Sequence, residues 1–397
     1  MRYRKFQAFK IFNGFTWSEG NKVLITEENG TIKDIVSREE AGEGIEELNG
    51  FLVPGLINCH CHLELSHLKN IIPPGTGLVS FLQTIIKNRN ASFSAKEIFN
   101  AMVAAENEMY DNGTAAVADI ANTAGGIVVK NKSLLRWYNL IEILNLHDKN
   151  LENRLEHYRA ILQLHKTGLN KETSTVLTPH APYSVSTGTL KTINGLTQNS
   201  IISIHNQEAI AEDELFKTGN GEFLKLFKTL GEEHSPFKIT GNTSLQTWLP
   251  NFTNGQTILL VHNTYTSEED VVFAKHHAKK YNLNLVYCLC PNANLYIENA
   301  LPPVGFLLKH KCKIVIGTDS YSNNWQLNVA AEIKTLKDHF ADIPLETILQ
   351  WATSNGAQAL QFSSLGSFEK GKTPGIVLLK TNASDKENIT GHSERIL

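Results

Sequence analysis

Two histidines one residue apart, His60 and His62, follow the apolar run that begins at residue 52. On a strand, residues i and i+2 point to the same side, so both imidazoles can grip one cation. A third imidazole, His205, ends the apolar run 201–205. Asp319 ends the run KIVIGTD at 313–319. A carboxylate at the tip of an apolar strand is costly without a partner, and a metal ion is the simplest one. Three nitrogens and one carboxylate with an open position suit one divalent metal, zinc first and Fe(II) or Mn(II) next. Glu208, three residues after His205, can take a proton from water and hand it to a substrate. His262 ends TILLVH and can polarise the attacking water or the leaving group.

Each residue has a plainer alternative. The histidine pair could sit on an exposed strand face. Glu208 and Asp319 could cap the helices that follow them. His262 could be a core histidine bonded to backbone. The combination is more specific than its parts, because these groups recur at strand ends in order.

Those strand ends require a scaffold. Eight short apolar runs, at 52–60, 114–120, 138–144, 175–180, 201–205, 257–262, 285–290 and 313–319, alternate with helical stretches. Runs of this kind suit strands buried on both faces. Helices are expected over 95–111 with Ser94 as N-cap, over 150–166, after Ser267 with a capping box, and over 344–361. The fold class is therefore α/β: a (β/α)8 TIM-type barrel over 54–362, whose active-site end is the C-terminal end of its strands. Residues 1–53 and 363–397, with glycines and alternating runs such as KVLIT (22–26), TIKDIV (31–36) and IVLL (376–379), predict one small β-sandwich domain built from both chain ends.

Composition sets limits. Of 397 residues, 41% are hydrophobic and the net charge is −3, so a large core is expected and polyanion binding is not. Nucleic acid and membrane are excluded as partners, a small molecule is expected, and a homo-oligomer stays open. Five cysteines, an odd number, fit reduced thiols and a cytoplasmic setting. Cys61 reads as packing. His147, His157, His165, His276, His277, His310 and His339 fall on helical stretches or their flanks, where surface placement is the default.

The ordered motifs resemble the amidohydrolase superfamily. They run from Pro54-Gly55-Leu56-Ile57-Asn58 into His60 and His62, through Thr178-Pro179-His180 and His205-x-x-Glu208, to His262, Cys290-Pro291-Asn292-x-Asn294 and Gly317-Thr318-Asp319. The pattern is similar to the deaminase and chlorohydrolase branch, which includes cytosine, guanine and S-adenosylhomocysteine deaminases. The resemblance implies one metal on His60, His62, His205 and Asp319, with Glu208 and His262 carrying protons. No lysine ends the fourth strand, which departs from two-metal relatives. His180, Glu64, Ser66, Lys69, Asn292 and Asn294 are candidate substrate contacts. The stretch 63–68 and the loop behind it resemble a subgroup associated with aminodeoxyfutalosine deamination, although Lys69 stands where many members have arginine. The implied activity is hydrolytic release of ammonia from an amino-substituted nitrogen heterocycle. Hydrolysis of cyclic amide C–N or C–Cl bonds is one alternative, and a non-catalytic ligand-binding barrel is another.

Overall fold

The computed structural model describes residues 3–89, 93–170 and 173–397. Its centre is a set of eight parallel strands: β1 (Leu56–Cys61), β2 (Thr114–Ala121), β3 (Arg136–Ile143), β4 (Ser174–Pro179), β5 (Ile201–Asn206), β6 (Thr257–His262), β7 (Asn284–Leu289) and β8 (Lys313–Ile316). They form two four-stranded parallel sheets in sequence order, β1 to β4 and β5 to β8. Helices flank them, giving a TIM-barrel-like α/β architecture.

Bonds also cross between the sheets. The His205 amide donates to the His180 carbonyl at 2.9 Å, and the Thr318 and Asp319 amides donate to the His60 carbonyl at 3.0 Å each. The second crossing depends on Gly317. A Cβ there would stand 2.8 Å from His60 Cβ and 3.0 Å from Cys288 Sγ, so any side chain would push β8 away from β1.

Register decides which side chains share a face. His205 pairs with Val261, Val261 with Cys288, and Cys288 with Val315. On β3, Glu142 pairs with Thr178 of β4. Its neighbours Ile141 and Ile143 belong to the helix-facing core with Leu155 and Tyr158.

The expected run 52–60 divides at Gly55. Phe51–Pro54 pairs antiparallel with Ile376–Thr381, and only Leu56–Cys61 joins β2. At Gly55 a Cβ would lie 2.3 Å from the Pro374 carbonyl oxygen. The terminal residues form two further four-stranded sheets, one of which takes in Phe51–Pro54, Ile376–Thr381 and Ile389–Arg395. The Ala95–Asp111 and Glu268–Tyr281 helices begin with capping boxes at Ser94 and Ser267. The helix expected over 344–361 breaks at Thr353, whose hydroxyl donates back to the Leu349 carbonyl at 2.6 Å.

Two excursions frame the C-terminal ends of the strands. One follows β1 and holds a 3-10 turn, Leu63–Leu68, and the helix Leu78–Asn88. The other follows β5 and holds the helices Ile210–Thr218 and Phe223–Thr229. A bond from Gln83 Nε2 to Thr229 Oγ1 at 2.8 Å ties them together. Among the described residues, no helix is long and apolar enough to cross a membrane. All five cysteines are free thiols.

Candidate active site

His60 and His205 come from β1 and β5, His62 from the residue just after β1 and Asp319 from those after β8, and all four are buried. Their ligating atoms lie within 4.8 Å of one another. His62 Nε2 stands 3.1 Å from His60 Nε2 and 3.3 Å from His205 Nε2. Asp319 Oδ1 is 3.5 Å from His60 Nε2 and 3.3 Å from His62 Nε2. Tetrahedral zinc with bonds of about 2.0–2.1 Å would hold its nitrogens roughly 3.3–3.4 Å apart, so the spacing fits a divalent cation.

The surroundings fit as well. The His205 Nδ1–H donates to the His180 carbonyl at 2.9 Å, which leaves the Nε2 lone pair facing the cluster. Asn323 Nδ2 donates to Asp319 Oδ2 at 2.6 Å. Burial holds His62 and His205 well below the ordinary imidazole range, with neighbouring histidines adding to the effect at His205. Burial alone would raise the Asp319 carboxyl. The imidazoles of His60, His62 and His262 outweigh it and hold the group well below the usual carboxylate range. Imidazole nitrogens beside a carboxylate are the donor set a divalent metal needs. The protein therefore carries a divalent-metal site built from histidine and aspartate.

Beside it lie Glu208 and His262. His262 Nε2 is 3.5 Å from Glu208 Oε1 and 3.6 Å from Asp319 Oδ2. Its Nδ1–H donates to Asn294 Oδ1 at 2.8 Å, so Nε2 is the bare nitrogen. His262 and Asp319 adopt φ of 73° and 58°, a left-handed turn that non-glycine residues enter at a cost. Burial, then Asp319, Glu212 and Glu298, push the Glu208 carboxyl well above its usual range. A carboxyl so placed can hold a proton near neutral pH.

The family model for the amidohydrolase family matches residues 51–394. The chain belongs to the amidohydrolase family. It is related to purine and adenosyl deaminases. It is 25% identical to the 5'-deoxyadenosine deaminase of Methanococcus vannielii, over 94% of this amidohydrolase and 87% of that protein. It is 26% identical to the 5'-deoxyadenosine deaminase of Methanocaldococcus jannaschii, over 96% and 88%. Aminofutalosine deaminase of Helicobacter pylori shares the fold, with a TM-score of 0.78 at 21% identity over 98% of this chain and 94% of that one. So does guanine deaminase of C. acetobutylicum, with a TM-score of 0.71 at 16% identity over 99% and 100%.

A cavity of about 460 Å³ opens beside the cluster. Its polar wall includes His62, His180, His205, Glu208 and Asp319. Its apolar wall is Leu78, Phe81, Leu82 and Ile85 from one excursion and Leu226 and Leu230 from the other.

Several candidate substrate contacts face elsewhere. Glu64 accepts from the amides of Asn122 and Thr123 and the Thr123 hydroxyl, which pins the first loop. Ser66 Oγ donates to the Leu63 carbonyl at 2.7 Å. Lys69 Nζ lies 3.8 Å from Glu108 and 3.8 Å from the centre of the Tyr321 ring. Asn292 Oδ1 accepts from Thr335 Oγ1 at 2.6 Å, and Asn294 orients His262. Of the six, His180 lines the cavity. One histidine expected on the surface is not there. His165 is fully buried and bonds to the Thr123 carbonyl at 2.9 Å, because its helix turns Tyr158, Ile161 and His165 inward together. His147 lines the cavity and meets Glu232 at 2.6 Å.

Other polar groups at the site escaped the sequence reading. Glu142 and Arg89 line the cavity, and Asp119 forms a buried ion pair with Lys130 at 2.6 Å behind it. Glu142 and Asp119 are each the lone charged residue in an otherwise apolar run, YNLIEIL and TAAVADI. That signal was present in the sequence.

Proposed function

We propose that this amidohydrolase is a hydrolytic deaminase that removes the exocyclic amine of a purine-type or related nitrogen heterocycle as ammonia. The observation that carries the proposal is Glu208: a buried carboxyl with a raised pKa, beside His262 and the metal ligands, on a cavity of suitable size. The 5'-deoxyadenosine deaminases that resemble the chain over nearly its whole length support the same reading.

The donor set favours zinc. The cation, when bound, supplies the Lewis acidity that makes water a nucleophile near neutral pH. His60, His62, His205 and Asp319 would hold it. Water adds to the amine-bearing ring carbon, the C–N bond breaks, and ammonia leaves. Glu208 takes a proton from the water and delivers it to the ring nitrogen, then carries the proton of the added hydroxyl to the departing amine, so that the carbonyl forms as ammonia leaves. His262 orients the water through its bare Nε2, and Asn294 keeps it in that tautomer. The apolar wall excludes bulk water.

The test is Glu208→Gln in metal-loaded protein, assayed for ammonia release across adenosine, 5'-deoxyadenosine, guanine, cytosine and aminodeoxyfutalosine. Turnover should fall by about 10²–10⁴ while metal content is unchanged. Undiminished turnover would remove Glu208 from the chemistry, and ring opening without ammonia would favour a cyclic amide hydrolase.

We also infer that the two parallel sheets close into one barrel over 54–362, with the chain ends forming a composite β unit over 1–53 and 363–397. The backbone bonds at both crossings support closure. Slow hydrogen exchange is expected at the His205, Thr318 and Asp319 amides. Fast exchange at either crossing would argue for an open sheet.

A further inference from the structure

Glu142 is buried to 3% exposure, yet it lines the substrate cavity. Its two oxygens differ. Oε2 accepts from Asn122 Nδ2 at 3.0 Å. Oε1 has no hydrogen-bond partner among the described residues. The nearest ionisable group is His205 Nδ1, 3.7 Å away, and that N–H is already given to the His180 carbonyl at 2.9 Å. A buried carboxyl oxygen without a hydrogen-bond partner is costly, and a donor reaching it from the cavity would relieve that cost.

A second cation is not that partner. Glu142, His180 and His205 do bring ligating atoms within 4.8 Å of one another. His205 has both nitrogens engaged, however, and His180 Nδ1 pairs with Ser184 Oγ at 2.5 Å. Too few free donors remain for metal ligation.

The carboxylate is also held in place. Asn122 is fixed by Arg89 Nη2, which donates to its Oδ1 at 2.9 Å, and by its own amide, which donates to Glu64 at 3.1 Å. Glu142 sits on β3, two strands before β5 and its His205, while Glu208 follows β5 and His262 ends β6. Both carboxyls line the same cavity, so a ring whose nitrogen meets Glu208 can present another edge to Glu142.

We propose that Glu142 Oε1 accepts a hydrogen bond from a hydroxyl or N–H group on the far side of the substrate, and so selects heterocycles that carry such a donor. This rests on the purine-type reading above. The hydroxyl would come from a sugar-like substituent, and the N–H from an unsubstituted ring. Arg89 and Asn122 act as positioning residues for the carboxylate.

The experiment measures calorimetric affinities in the metal-loaded Glu208→Gln protein, with and without Glu142→Gln, for three probes. Adenosine offers hydroxyls, adenine a ring N–H, and 9-methyladenine neither beyond its amine. In Glu142→Gln the amide oxygen must face Asn122 Nδ2, so its NH2 replaces Oε1 and cannot accept. Binding of adenosine, for a hydroxyl donor, or of adenine, for a ring N–H, should weaken about 10- to 100-fold. Binding of 9-methyladenine should not change, and metal content should match the parent. Equal weakening of all three probes would reveal a merely structural role and overturn the proposal. Unchanged affinities, or no binding of any probe, would overturn it too. Ammonia release by the Glu208-bearing enzyme decides the deaminase reading separately.

Discussion

Replacing Lys130 by methionine should destabilise the protein and loosen the metal site, although Lys130 touches neither metal ligand nor substrate. Its Nζ lies 2.6 Å from Asp119 Oδ2 and 2.7 Å from Asn139 Oδ1, and both side chains of the pair are 1% exposed. The other carboxylate oxygen, Asp119 Oδ1, accepts from the Leu63 amide at 2.8 Å, directly after His62. At 2.6 Å the attraction is about 6 kcal/mol for an effective dielectric near 20. Desolvation offsets much of it. Breaking a buried pair from one side nonetheless costs about 3–5 kcal/mol, because a charge is left without a partner. Proton uptake sets a ceiling: neutralising an ordinary carboxylate at pH 7 costs about 4 kcal/mol. A loss of roughly 3–4 kcal/mol is therefore expected, or about 4–5 °C in Tm for a chain of this length. The assay is thermal unfolding of metal-loaded protein at pH 7, with Asp119→Asn/Lys130→Met as the control that removes both charges. The double variant should recover part of the loss. A single-variant change under about 1 °C, or a double variant less stable than the single, would refute the buried-charge argument.

Three further outcomes follow. In metal-free protein His180 and His262 should contribute stability that is lost on acidification between about pH 6.5 and 3, read as the difference in Tm against pH between the parent and a His180→Asn/His262→Asn variant. Burial depresses His180 to about 3 and His262 to about 4. These two imidazoles thus bind fewer protons folded than unfolded, where they titrate near 6.5, so the stability they contribute above that value is lost as pH falls, while the raised carboxyls of Glu208, Glu212 and Glu142 act in the opposite direction and are common to both proteins. Asn294→Ala should lower kcat about 10- to 100-fold with metal content unchanged, because it frees His262 Nδ1 from its 2.8 Å partner. Lys69→Ala should leave KM within about twofold, since its ammonium lies against Glu108 and Tyr321.

Much of this arrangement was legible in the sequence for one physical reason. A polar residue that ends an apolar strand has few places to go except the mouth of the sheet. That reasoning applies to His180, His205, His262 and Asp319, and the structure brings them to one place. Helix boundaries at Ser94 and Ser267 were legible because capping is a local bond. The first-loop candidates were different. Whether Glu64, Ser66 or Lys69 faces a substrate depends on how the loop folds over its neighbours: Glu64 is held by Thr123 after β2, Ser66 by its own loop and Lys69 by Glu108. Glu142 and Asp119 could have been noticed as charges within apolar runs. Their opposite fates, one facing the cavity and one facing Lys130, follow from strand pairing that the sequence does not display.

Metal analysis of the purified protein after saturation and desalting bears most directly on the chemistry. One equivalent of divalent metal per chain is expected in the parent, and close to none in a folded His60→Ala/His205→Ala variant. A parent that binds no metal, or a double variant that keeps a full equivalent, would contradict a centre formed by β1, β5 and Asp319.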